Sequence, residues 1–570
     1  MTEIQKGLDF KTRSKIFALL AWYLWQAHLF AVRRLFELAK EKLLYVFARI
    51  RSWLLVIFSG QIVRKSRRNS RLSRLLATYR RIWDRGTTLL FEHFEGQSLD
   101  PCVLEHFVAK CSASDASAER ISSTASLAVS AGELDRARSL FADLLRRFPE
   151  ETAAHQQVGV RAFILGKYEI AEEFWTQATQ LRERQVVARE LDRYQVRLLG
   201  TSWVLAIGHI AHFDTYFKQA VLQKREGIKT YLSLHPWIRI PNRELLARWS
   251  DWIEMGTERD EPRLSSVESA LLRDEFWSLP FPDGKSRMFS HAGAIVQRQW
   301  ETERRPPLLS LSAGDRERGQ SGLRQLGVPE GAWFVCLHVR EPGFHLKWHQ
   351  SHPGTRNADV MTYLPAAREI VARGGYVIRV GDPSMVHLPQ EPGVVDYAHS
   401  EIRSEFMDVF LCAACKFFIG TNSGLGLVPP IFGVPCAMTN WSPIGLPQWY
   451  PKDIYIPKQL YSDRMGRTLT FEEMLFSKAG WVQFEDQLAM KGIRSIDNSP
   501  EELTDLVVEM IEREDGLEVL TEEDHKMQKI FNELVVGAGS YVGARIGTRY
   551  LRRHPELFKV SDLRAPLLGS

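Results

Sequence analysis

Lys416-Phe-Phe-Ile-Gly-Thr-Asn-Ser-Gly-Leu-Gly426 is the stretch whose residue types come nearest to chemistry. An apolar run ends at Gly420; Thr421, Asn422 and Ser423 then offer two hydroxyls and an amide ahead of Gly424 and Gly426. In the order strand, tight turn, helix start, such a loop turns N–H groups toward an anion, and glycine lets backbone approach a diphosphate. The loop has neither the lysine of a Walker A motif nor the spacing of a dinucleotide fingerprint, which disfavours ATP hydrolysis and dinucleotide binding. Capping of the following helix by Asn422 or Ser423 is the plain alternative.

Cations stand at other strand ends. Arg340 follows the apolar run Trp333–Val339, two positions after His338. A guanidinium grips phosphate oxygens in a fork, whereas an ion pair with Glu341 is the plain reading of the same residue. Arg379 ends the run Tyr376–Val380, and Lys347 lies in the loop Gly343–Gln350. Asp382, next to Gly381, and Asp396 are placed to touch a base or ribose, although Gly381-Asp-Pro383 is also an ordinary turn. Earlier in the chain, Trp203–Ile207 reads as a buried strand and Gly208–Asp214 as the loop leading into a helix that carries Tyr216–Leu222. His212 is the candidate general base of that loop, with His209 beside it and Asp214 to orient or replace it; a hydrogen-bonded structural histidine is the alternative. No Asp-x-Asp stands at a strand end, and Gly343, Pro353 and Gly354 break up the segment holding His345, His349 and His352. The expectation is therefore no metal and no cofactor.

These residues need a scaffold that brings strand ends together. From about Gly200 onward strand and helix signals alternate, interrupted around Pro306–Gly331 by a loop-rich hinge. Such alternation predicts parallel sheets covered by helices, and open sheets of that kind bind ligands at the carboxyl ends of their strands.

Taken together, Leu337-His-Val-Arg340, Gly375-Tyr-Val-Ile-Arg-Val-Gly381, Asp396-Tyr397, Phe418–Gly424 and Phe432-Gly-Val-Pro435 resemble the donor half of GT-B glycosyltransferases, and more narrowly a bacterial glycosyltransferase family with that strand-loop series. The likeness covers about 200–555 and is most specific over 333–445. It implies two Rossmann-like domains facing a cleft and a nucleotide-sugar donor held mainly by the second. It also implies a last helix, over Glu522–Arg553, crossing back to the first. The donor-binding set would be His338, Arg340, Lys347, Gly381, Asp382, Thr421, Asn422, Ser423 and Gly424. The His338-x-Arg340 pattern is also similar to fucosyltransferases, where an arginine after a strand meets the donor phosphates. The expected activity is metal-independent transfer of a sugar to a surface-glycan or lipid-linked acceptor. A non-enzymatic adaptor on the same scaffold, and an epimerase or phosphorylase of that fold, are the rivals.

Upstream, Ala125, Gly132, Ala137, Phe141 and Leu144 recur as Gly159, Gly166, Ala171, Trp175 and Ala178. Small residues where helices touch and bulky ones in the seam, about 34 residues apart, resemble two tetratricopeptide repeats over about 118–185, which would offer a protein-binding surface or a spacer. Residues 1–80 carry 17 Lys or Arg against 4 Asp or Glu, so the net charge of +5 leaves the rest of the chain near −8. A basic patch confined to an arm argues against nucleic acid as a partner of the folded body. Aromatic and aliphatic residues interleaved with those cations suit helices lying on an anionic membrane surface; a spanning helix and packing on the body are the other readings. Six cysteines with only Cys412 and Cys415 close together frame neither disulfides nor zinc. The resulting order is a basic helical arm (1–86), a helical region with the repeats (87–195), an acceptor domain (196–325), a donor domain (326–555) and a tail (556–570), in a cytoplasmic protein peripheral to the membrane's inner face.

Overall fold

The structure, a computed structural model, describes residues 116–558 except 131–132, 149–151, 165, 226, 235–237, 258–263 and 343–353, together with 108, 109 and 111. The arm, the end of the tail and Lys347 lie outside the described residues. Among the described residues no helix is long and apolar enough to cross a membrane.

Helices α1 (Ala118–Ser130), α2 (Leu134–Arg147), α3 (Thr152–Ile164) and α4 (Tyr168–Ala188) form two successive hairpins. Ala118 and Thr152, like Leu134 and Tyr168, stand 34 positions apart, so the second hairpin repeats the first in register. The recurring residues pack the seam: Ala125, Ala137, Phe141, Leu144, Ala171, Trp175 and Ala178 are all buried. A Cβ on Gly159 would lie 2.4 Å from Trp175 Nε1, so the indole seats only because that position has no side chain.

The next unit holds a parallel sheet of β1 (Val196–Leu199), β2 (Lys229–Ser233), β3 (Glu254–Gly256) and β4 (Arg273–Asp274), in the order β3-β2-β1-β4. Helix α5 (Ile207–Leu222) follows β1, the antiparallel pair β5 (Ser278–Pro280) and β6 (Ser286–Met288) follows β4, and α6 (Phe289–Thr302) completes the unit. Strand β1 ends before the run Trp203–Ile207 expected to form it; Thr201–Val204 is a 3₁₀ turn, and the helix has begun by Ile207. A short apolar run does not announce its own conformation. Trp203 and Val204 are buried by aromatic packing, while the true strand is defined by pairing with β2 and β4 on either side.

The last unit is larger. Helix α7 (Ala313–Gln325) touches both sides: Gly319 and Gly322 face Phe410 and Met407, and Asp315 accepts two hydrogen bonds from Arg248 (both 3.0 Å). After it come β7 (Phe334–His338), α8 (Leu364–Ala372), β8 (Tyr376–Arg379), β9 (Val394–Val395), α9 (Glu405–Ala414), β10 (Phe418–Gly420), β11 (Cys436–Trp441) and β12 (Ile454–Pro457). Strands β13 (Gln459–Ser462), β14 (Arg467–Thr468) and β15 (Ile493–Ile496) make a small antiparallel sheet. Then follow α10 (Pro500–Glu514), α11 (Glu522–Gly537), β16 (Arg545–Ile546) and α12 (Thr548–Arg553). The main sheet runs β16-β12-β11-β10-β7-β8-β9, and every neighbouring pair is parallel. Its central strands are buried throughout, β7 and β11 at every position, as strands covered on both faces must be. Cys412 and Cys415, at the end of α9, are buried in the same core.

One helix expected over Glu522–Arg553 is instead two, α11 and α12, with edge strand β16 between them. The segment just before β16 reaches the acceptor-side unit: Arg287 Nε donates to the Tyr541 hydroxyl (3.1 Å), and Arg298 donates to the Val542 carbonyl.

Candidate functional site

In both parallel sheets the first strand is central and the strand order reverses beside it, between β1 and β4 in one and between β7 and β10 in the other. At such a reversal neighbouring connections leave to opposite faces, which opens a crevice at the carboxyl ends of the strands. The β7/β10 crevice is flanked by His338–Arg340 on one side and Thr421–Gly424 on the other. The two sides are stitched together: Thr421 N donates to the His338 carbonyl (3.1 Å) and Arg340 N donates to the Thr421 hydroxyl (2.8 Å).

His338 is buried, and its Nδ1–H donates to the Val380 carbonyl (3.1 Å). Burial, with the charges of Arg379 and Arg340 adding to it, pushes the imidazole down to about 4, so it is neutral at working pH. Gly381, at φ +150, packs against Met385 and the His338 ring. Arg340 is 8% exposed, and burial, with the Arg356 charge beside it, pushes its guanidinium down to about 9. Arg356 is lowered by burial as well. A guanidinium does not give up its proton at neutral pH, so both side chains stay cationic beside the loop.

The segment carrying Arg356 wraps around Arg340. Ala358 N donates to the Arg340 carbonyl (3.1 Å), and a Cβ on Gly354 would lie 3.1 Å from Arg340 Nη1. Thr355 is fully buried and accepts a hydrogen bond from the Ser442 hydroxyl (2.8 Å), while Asn422 Nδ2 donates to the Ser442 carbonyl (3.2 Å). Ser423 accepts from Gly426 N (3.3 Å) and so takes the capping role open to it.

Other expected contacts are committed elsewhere. Arg379, wholly buried, is tied to Glu341 (3.0 Å), Asp396 (2.8 Å) and the Val386 carbonyl (3.0 Å). That leaves Glu341, the alternative partner of Arg340, bound to Arg379 and to Val386 N (2.7 Å). Asp382 accepts from Ser384 N (2.8 Å) and from the Ser384 hydroxyl, the turn reading of that residue. His387, Asp396 and His399 place ligand atoms within 4.8 Å of one another. However, one Asp396 oxygen meets Arg379 and the other accepts from His399 Nδ1 (2.8 Å) and Leu388 N (3.1 Å), so the carboxylate is already engaged.

Across the crevice stands the N-terminus of α5. A Cβ on Gly208 would lie 2.7 Å from Gly424 Cα, so the first turn of a 16-residue helix abuts the Thr421–Gly424 loop backbone to backbone. Its dipole adds positive potential to the cations opposite.

His209, His212 and Asp214, expected in a strand-to-helix loop, are in the first turns of α5, because the helix starts at Ile207. His209 Nδ1–H donates to the Ser202 carbonyl (2.6 Å) and straps the preceding turn to the helix. His212 is stacked on Phe289 (ring centroids 4.2 Å) and Phe276 (5.1 Å), with Trp449 at 5.2 Å, and burial pushes it well below the ordinary imidazole range. Asp214 does not face a cleft. It has no exposure and is held by Lys218 Nζ (2.8 Å), Gln297 Nε2 (2.7 Å) and the Tyr450 hydroxyl (3.4 Å).

The site thus gathers His338, Arg340, Gly381 and Thr421–Gly424 and adds Gly208, Thr355, Arg356 and Ser442, which the sequence reading left out of the binding set. Gly354-Thr-Arg356 after a Gly- and Pro-broken loop was a visible signal, but no spacing in the chain links it to Arg340. Chemically, fixed cations, loop N–H groups and a helix N-terminus can hold a diphosphate and stabilise the charge that grows on it as it departs.

No family model and no curated protein matches the chain. Solved structures similar to it include the dodecameric iron-containing heptosyltransferase TibC in complex with ADP-D-β-D-heptose, 13% identical over 43% of this chain and 57% of that one, with a TM-score of 0.26. The chain therefore spans a little over half the length of TibC. ADP-heptose LPS heptosyltransferase II from E. coli is 14% identical over 56% of this chain and 99% of that one, with a TM-score of 0.31. A glycosyl transferase family 9 protein from Veillonella parvula is 12% identical over 43% and 79%, with a TM-score of 0.23.

Proposed function

We propose that the chain is a GT-B-type glycosyltransferase that moves a sugar from a nucleotide-sugar donor to a glycan or lipid-linked acceptor without a metal. The observation that supports this most directly is the β7/β10 crevice, where the Thr421–Gly424 loop is bonded to the Arg340 backbone on one side and packed against the N-terminus of α5 on the other. Departure of a nucleoside diphosphate needs positive charge placed in advance, and this crevice has it from side chains and helix ends. Lys347, Asp382, Asn422 and Ser423 remain in the proposed donor set, and His212, His209 or Asp214 in the proposed acid–base set, with Asp214 the weakest member because it is enclosed. The two hairpins read as a tetratricopeptide-like pair, since their counterparts start 34 residues apart. The basic arm would hold the enzyme at an anionic membrane surface.

The test is a thermal-shift screen of the protein against UDP, GDP, ADP, CMP and their sugars in EDTA, with Arg340→Ala alongside. A nucleotide at about 100 times its dissociation constant stabilises the fold by roughly 2.7 kcal/mol. One nucleotide shifting wild type but not the variant is the expected result and names the donor class. Silence from every nucleotide would favour the adaptor reading, and product analysis with the matching sugar separates a transferase from an epimerase or phosphorylase.

A further inference from the structure

The turn between α3 and α4 and the start of α4 lie against the donor-side segment Lys478–Gln483. A Cβ on Gly166 would lie 3.2 Å from the Trp481 carbonyl, the Tyr168 hydroxyl donates to that same carbonyl (3.3 Å), and the Tyr168 and Trp481 rings lie 5.5 Å apart. Glu169 pairs with Lys478 (3.1 Å). From there a chain of hydrogen bonds runs to the crevice. Gln483 Nε2 donates to the Tyr168 hydroxyl (2.8 Å), and the Gln483 carbonyl accepts from both the amide (3.1 Å) and the hydroxyl (3.2 Å) of Thr355. The Thr355 hydroxyl accepts from Ser442, whose carbonyl accepts from Asn422. Gly354 meanwhile forms a bridge with Phe484 while lying against Arg340. Tyr168 is 3% exposed and Thr355 is wholly buried, so neither end of the path exchanges freely with water.

We propose that Tyr168 is a positioning residue for the anion site. It anchors Gln483, which fixes Thr355 and so sets Arg356 beside Arg340 and Asn422 at the loop. The helical hairpins are then a working part of the donor site, not only a spacer or a docking surface. This rests on the donor-site reading above for its ligand, but the hydrogen-bond path can be measured without one.

The experiment uses the full chain with Tyr168→Phe, Thr355→Val and the double variant. Pyrophosphate, UDP, GDP and ADP are titrated by calorimetry, and amide exchange is followed in the peptide covering 354–358. Each single variant is expected to raise the dissociation constant about tenfold, the worth of one hydrogen bond, and the double variant to do no worse than the weaker single. Exchange at Thr355 should quicken in Tyr168→Phe. Gln483→Met cuts the same bond from its other end and should repeat the effect if Tyr168→Phe folds poorly. Phe141→Leu, a core change elsewhere in the hairpins, should leave binding alone, which a merely structural role of the hairpins would not allow. Unchanged binding and exchange in Tyr168→Phe, or multiplied losses in the double variant, would overturn the proposal. If wild type binds neither nucleotide nor pyrophosphate, the transferase reading fails. Exchange at Thr355 then decides the anchoring alone, and its insensitivity to Tyr168 would sink that too.

Discussion

Two parallel sheets in this chain share the strand order of a Rossmann-like unit, yet their crevices are furnished in opposite ways. At β1/β4 the space is filled: Trp203 is wholly buried against Phe213, Tyr216, Phe276 and Phe289, and Asp274 is held by the Tyr216 hydroxyl (2.7 Å) and by Arg182. At β7/β10 the neighbours are glycines, hydroxyls and two mutually repelling guanidiniums. Charge in the first unit is enclosed and matched, as in the Asp214–Lys218 pair. In the second, the buried Arg340 has the like charge of Arg356 beside it. A fold unit therefore sets where a ligand could go, and side chains decide whether there is room and reason for one.

The sharpest test of matched charge is Lys218→Met, which leaves Asp214 buried without its cation. Removing one partner of a buried pair costs about 3–5 kcal/mol, and urea unfolding should show a midpoint lowered to match. A loss under about 1 kcal/mol would break the contrast, since such a small cost belongs to a solvated pair.

Acid sensitivity probes the second crevice. His338 has a folded pKa of about 4 against 6.5 for the free side chain, so the unfolded chain takes up its proton first as pH falls. Stability is then lost from about pH 6.5 down to about pH 4, by roughly 3 kcal/mol for a shift of this size. His338→Gln should flatten that window in pH-dependent unfolding; a profile as steep as wild type would show that the site is wetter than its burial indicates.

Arg340→Met probes binding. Nucleotide affinity should fall by about 2 kcal/mol, the worth of a hydrogen bond to a charged group, as calorimetry would show. Unchanged affinity would mean that the guanidinium does not meet the ligand, and the two crevices would then differ less than proposed.

The smallest effect is expected at the seam between the units. Gly208→Ala must displace the Gly424 backbone, at about 1–2 kcal/mol for overpacking, and should weaken nucleotide binding by moving α5 away from the loop. Equal stability with intact binding would show that the helix N-terminus contributes nothing there.

Much of this arrangement was legible in the residues. The loop Thr421–Gly424 reads as a strand-to-helix turn because glycines and hydroxyls follow an apolar run, and that local rule held. So did β7, β8 and β10, whose apolar runs end in polar or glycine residues close to where the strands end. The reading failed where conformation depends on partners. Trp203–Ile207 is as apolar as a strand, but only Trp203 and Val204 are buried, Trp203 against rings from Phe213, Phe276 and Phe289, while Leu205 is exposed; β1 is defined by β2 and β4, elements 30 to 80 residues away in the chain.

What the sequence alone determined is therefore the alternation of elements, the parallel class of the sheets and the chemical character of one loop, because each follows from periodicity and residue type over a few neighbouring positions. Tertiary structure alone decided that Arg379 belongs to an internal ion-pair network, that Asp214 is sealed in, and that Tyr168 is linked through Gln483 to Thr355. Those outcomes depend on which groups are left facing one another once water is excluded, and no local stretch of chain carries that information.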